Sequence, residues 1–168
     1  MELKSERLTL KPVGAADSDL EILERVVTDE FVRRYLFDDR ILDRNEIAGL
    51  IDASRESFRA KNYGLWLIIL DKSGETIGFT GLWHFFDEAQ PQLLYALLPE
   101  FTGAGFAAEA ARKIIEYAFF KLSFAYLDAS CDAPNEASQK VAANLGMKIY
   151  KQEKIDGRET VFFRLENK

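Results

Sequence analysis

The stretch that decides the fold reads LLYALLPEFTGAGFAAEA and covers residues 93–110. An apolar run typical of a strand is stopped by Pro99, two glycines follow, and a helical pattern then begins. Glycine lets the backbone turn with a positive φ and lets a ligand approach the chain closely. The first N–H groups of a helix have no internal partner and carry the positive end of its dipole. This combination predicts a binding site for a phosphate group.

The glycine pair fits several kinds of phosphate site. A P-loop is excluded because no Lys-Ser or Lys-Thr follows the glycines. Gly103, Gly105 and Ala108 match the dinucleotide pattern Gly-x-Gly-x-x-Ala, with Asp128 about 20 residues further on as the ribose-binding acid. Residues 100–105 match the pyrophosphate loop of acyl-CoA transferases, Gln/Arg-x-x-Gly-x-Gly/Ala, except at Glu100. A tight strand-to-helix turn without a ligand is the remaining interpretation.

The segments before the glycines argue against a dinucleotide fold. Residues 65–70, 75–83 and 92–98 each have the pattern of a strand, and turn chemistry at 71–74 joins the first two. Short connections of this kind predict an antiparallel meander. A dinucleotide-binding fold alternates strands with helices and usually opens with its glycine motif, whereas this motif lies past the middle of the chain.

The segments after the glycines predict one strand–helix–strand unit and a final hairpin. A helix is expected over 107–122, and a strand over 124–131 that lies parallel to 92–98 because a helix connects them. A second helix begins near Pro134 and ends at Gly146. Strands at 147–155 and 159–165 flank Asp156-Gly157, a strong hairpin signal.

In this order the motifs resemble those of the GNAT N-acetyltransferase superfamily, specifically its RimJ/RimL-like branch. The resemblance covers nearly the whole chain and is carried by residues 5–12, 77–82, 103–110, 135–141 and 145–147. It implies a single domain over residues 1–168 with an α/β (α+β) GNAT fold. The expected core is a mixed, mostly antiparallel sheet of about seven strands, splayed between the fourth and fifth strands and flanked by about four helices. Residues 17–60 would form helices along one wall of the acceptor site.

The resemblance also implies acetyl-CoA as cofactor and direct transfer of its acetyl group to a primary amine in a ternary complex. The amine would belong to a protein N-terminus or to a small molecule. The pantetheine arm would lie along the fourth strand and near the helix-opening Asn135, with Ser138 close to the thioester. The predicted cofactor-binding residues are Ala96, Leu97, Leu98, Gly103, Ala104, Gly105, Phe106, Ala107, Ala108, Asn135 and Ser138.

Two residues are predicted to act in catalysis. Many GNAT enzymes protonate the leaving thiolate with a Tyr, whose place here is taken by Ala142, so Ser138 is the predicted donor. A first-turn capping role is the competing interpretation of Ser138, and Tyr150 is a less favoured donor. His84, the only histidine, is the predicted base because its pKa range suits proton transfer. A packing or surface histidine is the alternative, with the base then among Asp87, Glu88 and Glu100.

The acceptor side is predicted to include Tyr35, Phe37 and Trp83, although core packing is an alternative for the first two. Glu100, Leu94 and Thr102 depart from the branch's pattern, and Glu100 is expected to face solvent because a carboxylate would repel pyrophosphate. Because of these departures, a CoA-binding module that has lost catalysis is an alternative function for the chain. A nicotinamide-dependent oxidoreductase, with Asp128 on the ribose, is a less favoured alternative.

Composition sets the outer limits. A chain of 168 residues that is 48% hydrophobic and 30% charged fits one globular domain. No apolar run suits a membrane span or a secretory segment, which predicts a cytoplasmic protein without a membrane partner. A net charge of −6 argues against a nucleic-acid partner. One cysteine, Cys131, and one histidine predict no disulfide and no metal site, and a buried strand cysteine is favoured over a reactive thiol. The expected state is a monomer or a homodimer.

Overall fold

The computed structural model describes residues 1–168. The strands are β1 (Leu3–Lys4), β2 (Leu8–Pro12), β3 (Leu65–Leu70), β4 (Glu75–Trp83), β5 (Gln92–Leu97), β6 (Tyr126–Asp132), β7 (Lys148–Ile155) and β8 (Arg158–Glu166). The α-helices are α1 (Asp17–Val27), α2 (Glu30–Arg33), α3 (Arg44–Lys61), α4 (Phe106–Phe120) and α5 (Glu136–Asn144). Short 3₁₀ turns occur at Phe37–Asp39 and Pro99–Phe101.

The strands form two sheets whose facing edges belong to β5 and β6. The first sheet has the order β1-β2-β3-β4-β5 and the second β6-β8-β7, and every pairing within them is antiparallel. The predicted fold class is confirmed. The strand count is eight because Leu3–Lys4 adds a two-residue edge strand, too short to show a periodic pattern. The splay therefore lies between β5 and β6, which share no ladder of hydrogen bonds.

Local sequence chemistry explains the boundaries of these elements. Asp156 and Gly157 both have positive φ, 49° and 79°, as the two central residues of a type I′ hairpin turn require. Asp43 and Glu46 form a capping box at the start of α3. At the start of α5, the side-chain oxygen Oδ1 of Asn135 accepts the N–H of Ser138, while Gly146 continues the chain beyond the helix with a φ of 84°.

Two apolar clusters cover opposite faces of the five-stranded sheet. One cluster lies under α4 and includes Ile114, Leu93 and Leu97, and it extends beneath the three-stranded sheet. The other lies under α1 and α3 and includes Leu94, with Ala96 packed against it. Because side chains of a strand alternate between faces, β5 contributes to both clusters. We call these surfaces the α4 face and the α1 face. No helix combines the length and apolar character that crossing a bilayer requires.

Candidate active site

A cleft of about 1070 Å³ follows the separation between the two sheets. Side chains near the start of β5 join it to β6: Ser130 Oγ donates to Gln92 Oε1 at 2.7 Å, and Gln90 Nε2 donates to the Tyr126 carbonyl at 2.6 Å. Toward their carboxyl ends the strands part, and residues of both line the cleft. The opening passes between the strands, so it can be entered from either face of the sheet.

The edge of β5 supplies backbone groups to this opening. Leu98 N–H donates to the Ile77 carbonyl at 2.9 Å, toward β4. Peptide groups alternate in direction along an antiparallel strand, so those of Leu97 and Tyr95 face the opening while those of Ala96 face β4. Ala96 was predicted as a backbone partner of the cofactor together with Leu97 and Leu98, but the peptide groups of Ala96 and the N–H of Leu98 face β4 and not the opening. The Leu98 carbonyl accepts from Phe101 N–H, and the Leu98 side chain is buried.

The glycine loop, residues 102–105, lies at the carboxyl end of β5. Gly103 and Gly105 both have a φ of 84°, and Gly105 caps α4 without any side-chain hydrogen bond. The first N–H groups of α4 therefore have no acceptor from a capping side chain. A Cβ added at Gly103 would meet no atom within 4 Å, so the loop is open on that side. Gly103, Gly105, Phe106, Ala107 and Ala108 line the cleft, and this arrangement fits a pyrophosphate.

An ion-paired anchor ties this loop to the first strands. The Glu109 carboxylate accepts from Ser5 Oγ at 2.6 Å and from the backbone N–H and Nε of Arg7 at 2.8 and 2.7 Å. Arg7 Nη1 also donates to the Ala104 carbonyl at 3.0 Å, and its guanidinium lies over the Phe106 ring. Burial raises the pKa of Glu109, but the hydrogen bonds from Ser5 and Arg7 outweigh it and lower that pKa below its usual range.

Ala104 consequently points its carbonyl away from the cleft and does not line it. Sequence reasoning noted Ser5 and Arg7 only as part of the first strand. Their contact with the loop spans about a hundred residues, and a single sequence contains no signal for a contact of that range. Glu100 is exposed, 3.9 Å from Arg25, and lies outside the lining of the cleft.

Ser138 lies on α5 directly across the opening from Tyr95 of β5. Ser138 Oγ donates to the Tyr95 hydroxyl at 3.2 Å, and that hydroxyl donates to the Ser138 carbonyl at 3.0 Å. The helix cap is provided by Asn135 instead, so Ser138 Oγ is not used for capping.

Burial dominates the ionisation of this group of side chains. It raises the pKa of the Tyr95 hydroxyl to about 12 and that of the Cys131 thiol to about 11. Both groups therefore keep their protons at neutral pH, and the thiol is a poor nucleophile. Tyr95 and Ser138 thus form a protonated hydroxyl pair at the centre of the cleft. The motif comparison identified Ser138, whereas Tyr95 stood in an apolar strand and attracted no functional prediction.

His84 lines the cleft just beyond the end of β4, with both ring nitrogens engaged. Nδ1 lies 2.8 Å from the Glu88 carbonyl, which can only accept, so Nδ1 carries a hydrogen. In the neutral ring, Nε2 then accepts from the Tyr63 hydroxyl at 3.0 Å. The Glu88 carboxylate is itself used to fold the loop, since it accepts from the backbone N–H groups of Phe85 and Phe86. Asp87 does not line the cleft.

Aromatic side chains line the cleft on the α1 face. Trp83, which pairs with Gln92 at the start of β5, packs against the cluster of that face. Tyr35 and Phe37, from the segment between α2 and α3, also line the cleft, and Phe37 packs against the same cluster. We define the rim as Phe31, Tyr35, Phe37, Trp83, Phe85 and Phe86, all of which line the cleft.

A bridge of ion pairs crosses the cleft beside this rim. Arg158 Nη1, on β8, lies 3.1 Å from an Asp132 oxygen and 3.5 Å from an Asp38 oxygen. Cys131 packs against the cluster under α4, so the alternation along β6 places Asp132 on the opposite, α1 face. Neither carboxylate belongs to a recognised motif, and sequence reasoning missed both.

The remaining sequence candidates lie in a separate network. Arg164 donates to both oxygens of Asp128, at 2.7 and 2.9 Å, and the Tyr150 hydroxyl donates to the same carboxylate at 3.1 Å. Neither Asp128 nor Tyr150 lines the cleft. Asp128 is therefore not available as the ribose-binding acid that the dinucleotide interpretation requires.

Comparison with known proteins defines the family. Residues 7–148 match the model of the acetyltransferase (GNAT) domain. The chain is 30% identical over 166 residues to the uncharacterized N-acetyltransferase p20 of Bacillus licheniformis, covering 93% of this chain and 89% of the relative. The protein belongs to the GNAT acetyltransferase family.

Solved structures share the fold. A GNAT-family acetyltransferase of Bordetella pertussis superposes with a TM-score of 0.82 at 22% identity, covering 98% of each chain. RimL, a ribosomal L7/L12 alpha-N-protein acetyltransferase solved in complex with coenzyme A, gives 0.82 at 15% identity, covering 99% of this chain and 98% of RimL. The resemblance to the GNAT superfamily that was drawn from sequence motifs is confirmed.

Proposed function

We propose that the protein transfers the acetyl group of acetyl-CoA to a primary amine by direct attack in a ternary complex. The observation that carries this proposal is the opening between β5 and β6. The free edge of β5 leads to the glycine loop, while the aromatic rim lines the same cleft from the α1 face. Two ligands can therefore enter separately and meet beside Leu97 and Ser138, which favours direct transfer.

The residues of the opening suit the parts of coenzyme A. Bound acetyl-CoA would supply an acetyl thioester, an acyl group already activated toward amines. The carbonyl of Leu97 and the peptide groups of Tyr95 can pair with the pantetheine amides as a neighbouring strand would. Asn135 caps the helix with its side-chain oxygen Oδ1, which leaves its Nδ2 hydrogens free to bind the pantetheine arm. The N–H groups from Gly103 to Ala108 would receive the pyrophosphate.

Ser138 is the proposed proton donor to the departing thiolate. Its hydroxyl is held at the centre of the cleft by Tyr95, and the thiolate is a weaker base when it receives a hydrogen bond. The Tyr95 hydroxyl can turn its hydrogen from the Ser138 carbonyl to Ser138 Oγ. It then donates a hydrogen bond to the serine oxygen while Ser138 gives its own proton to the thiolate. The Leu97 N–H, facing the opening, is the proposed donor to the thioester oxygen, where negative charge develops during attack.

The proposed base remains His84. In its neutral form Nε2 carries the lone pair, but this nitrogen must exchange its bond with Tyr63 before it can take a proton from the amine. Asp132 is the competing base, because its carboxylate lines the cleft from the α1 face, although it must leave Arg158 before it can take a proton. The variants His84→Gln and Asp132→Asn separate the two. The base is the residue whose loss removes the acidic limb of the pH profile of kcat/KM.

The family and its neighbours leave two sources for the amine. The RimL structure belongs to an enzyme that acetylates a protein N-terminus, which supports an α-amine of a polypeptide as one source. A small-molecule amine is the other. Tyr35, Phe37 and Trp83 are proposed to contact the acceptor in either case.

Calorimetric titration with acetyl-CoA, followed by an amine screen that detects free thiol, tests the proposal. We expect acetyl-CoA to bind with micromolar affinity and to raise the melting temperature, and NADH to do neither. Thiol release should require an amine and should fall sharply in Ser138→Ala but not in Ser73→Ala, a serine in an exposed turn. Binding without turnover on any amine would instead support a catalytically inactive CoA-binding module. Absence of acetyl-CoA binding would contradict the proposal outright.

A further inference from the structure

We infer that the acceptor is an amine carried by a bulky apolar group, bound by the aromatic rim with its ammonium directed to the Asp38–Arg158–Asp132 bridge. The inference rests on the proposed acetyl transfer and adds the chemical class of its acceptor. Its two sources would be a free arylalkyl amine and a polypeptide whose first residue is large and apolar.

The rim belongs to the face of the sheet opposite Ser138. Trp83 packs against the cluster under α1 and α3, as do Leu94 and Ala96 of β5. Tyr95, which contacts Ser138, packs against the cluster under α4. A ligand on the rim therefore reaches the centre of the cleft from the α1 face, without crossing the glycine loop.

The second sheet completes the rim on that face. Val161 and Phe163 of β8 belong to the cluster that lies under α4, so Phe162 between them points the other way. The Phe86 ring packs against Phe162, with 5.9 Å between centroids. Phe86 thus extends from the loop after β4 to the second sheet, and the rim is formed by both sides of the cleft.

The exposed aromatic side chains of the rim lie together on one surface rather than scattered over the protein. Phe31 and Phe86 are each 45% exposed, and Tyr35 and Phe85 each 38%. Isolated exposed apolar residues are normal, but several that line one concave surface indicate a binding site. Since each aromatic ring carries a large apolar area, an apolar ligand that covers them gains affinity from the hydrophobic effect.

The segment that carries Phe37 has an unusual backbone. Phe37, Asp38 and Asp39 have successive φ values of 58°, 55° and 61°, in the region that non-glycine residues rarely adopt. Residues held in this way are found at ligand-binding positions, where surrounding contacts maintain them. Here the turn aims Phe37 into the cleft and brings Asp38 to Arg158 on the other side.

Charge on the rim suits an ammonium rather than an anion. Asp38 and Asp132 share the single guanidinium of Arg158, so the bridge carries one more negative charge than positive. Arg34 and Asp156 also line the cleft and offset each other in charge. A protonated amine can join the bridge by pairing with Asp38, whose side chain is 77% exposed. An acceptor with one ammonium and an apolar body matches both features.

The test compares acceptors in one thiol-release assay. 2-Phenylethylamine and a peptide amide beginning with Phe represent the apolar class, while ethanolamine, spermidine and a peptide amide beginning with Ser represent the polar class. We expect kcat/KM to be at least about tenfold higher for an apolar acceptor than for its polar counterpart. The source of the acceptor amine is then the class, free amine or peptide, whose apolar member has the higher kcat/KM.

Variants link that preference to the rim. Phe86→Ala and Phe31→Ala should each reduce kcat/KM for the apolar acceptor about tenfold and leave it nearly unchanged for the polar one. Phe120→Ala is the matched control, because Phe120 is 81% exposed at the end of α4 and does not line the cleft.

Equal rates for both classes, or equal effects of Phe86→Ala and Phe120→Ala, would overturn the inference while leaving acetyl transfer intact. Turnover of no amine at all, with acetyl-CoA still bound, would overturn the proposed function itself and this inference with it.

Discussion

The glycine loop and the aromatic rim line the same cleft, and they differ in what they are made of. The loop presents backbone N–H groups and small residues, and a short motif specifies its shape because glycine is required at positions with a φ of 84°. The rim presents large side chains from two irregular segments far apart in sequence. The difference suggests that the loop serves a ligand common to the family and the rim a ligand particular to this protein.

The largest loss of activity is expected at Ser138, which lies at the centre of the cleft. Ser138→Ala removes the proposed proton donor and should lower kcat about 100-fold, with little change in KM for acetyl-CoA. Tyr95→Phe should lower kcat less, because the serine hydroxyl remains but loses its orienting partner. Steady-state kinetics measures both values. A loss in KM alone would assign Ser138 to cofactor binding rather than to proton transfer.

The next largest effect is expected on acetyl-CoA affinity, and it tests whether the glycine loop binds the cofactor through its backbone. Gly103→Val places a β-branched residue at positive φ, which should distort the loop and weaken acetyl-CoA binding at least about tenfold. Gly74→Val is the matched control, since Gly74 has a φ of 73° and, like Gly103, open space around an added Cβ. Both variants should lose similar stability. Equal affinities for acetyl-CoA in calorimetric titrations would contradict a role of the loop in binding.

A smaller effect concerns the anchor behind the loop, and it depends on pH. Hydrogen bonds from Ser5 and Arg7 hold the pKa of Glu109 below its usual range. The carboxylate therefore stabilises the fold above its unfolded-state pKa of about 4.3, and this contribution is lost as the pH falls through the lower folded-state value.

Glu109→Gln should accordingly reduce the free energy of unfolding by about 1–2 kcal/mol at neutral pH, and the difference from the wild type should shrink in acid. Glu116→Gln, on the same helix but half-exposed, is the control. Chemical denaturation at a series of pH values measures the difference. A difference that stays constant down to acid pH would show that the anchor does not act through charge.

The smallest effect is expected at Glu100. Its carboxylate is exposed near Arg25 and outside the cleft, so Glu100→Gln should change the affinity for acetyl-CoA less than about twofold. A large gain in affinity for acetyl-CoA would show that the Glu100 carboxylate repels the pyrophosphate. Binding at the loop would then depend on a neighbouring side chain and not on backbone N–H groups alone.

The same contrast explains how much could be predicted from sequence. Strands at 65–70 and 75–83 were predicted with their observed bounds, because apolar runs and turn residues are local signals. The glycine loop and Ser138 could be proposed as site residues because they lie in short motifs. The direction of the Ala96 and Leu98 peptide groups could not be predicted, because it depends on strand register, which is set by the pairing of Leu98 with Ile77.

The parts that could not be predicted depend on contacts across the fold. Arg7 meets Glu109, Tyr95 meets Ser138, and Asp38 meets Arg158 only after the two sheets have assembled. Phe31, Phe85 and Phe86 have no motif, and their exposure is known only from the structure. Such contacts are set by tertiary packing, which a single sequence does not record.

Amide hydrogen exchange with and without acetyl-CoA tests the central claim most directly, since that claim is that the cofactor binds along β5 and the glycine loop. The account predicts slower exchange at Tyr95 and Leu97 and at Phe106 to Ala108 when acetyl-CoA is present, with no change at the exposed turn around Gly74. Protection elsewhere, with these amides exchanging as before, would contradict the account.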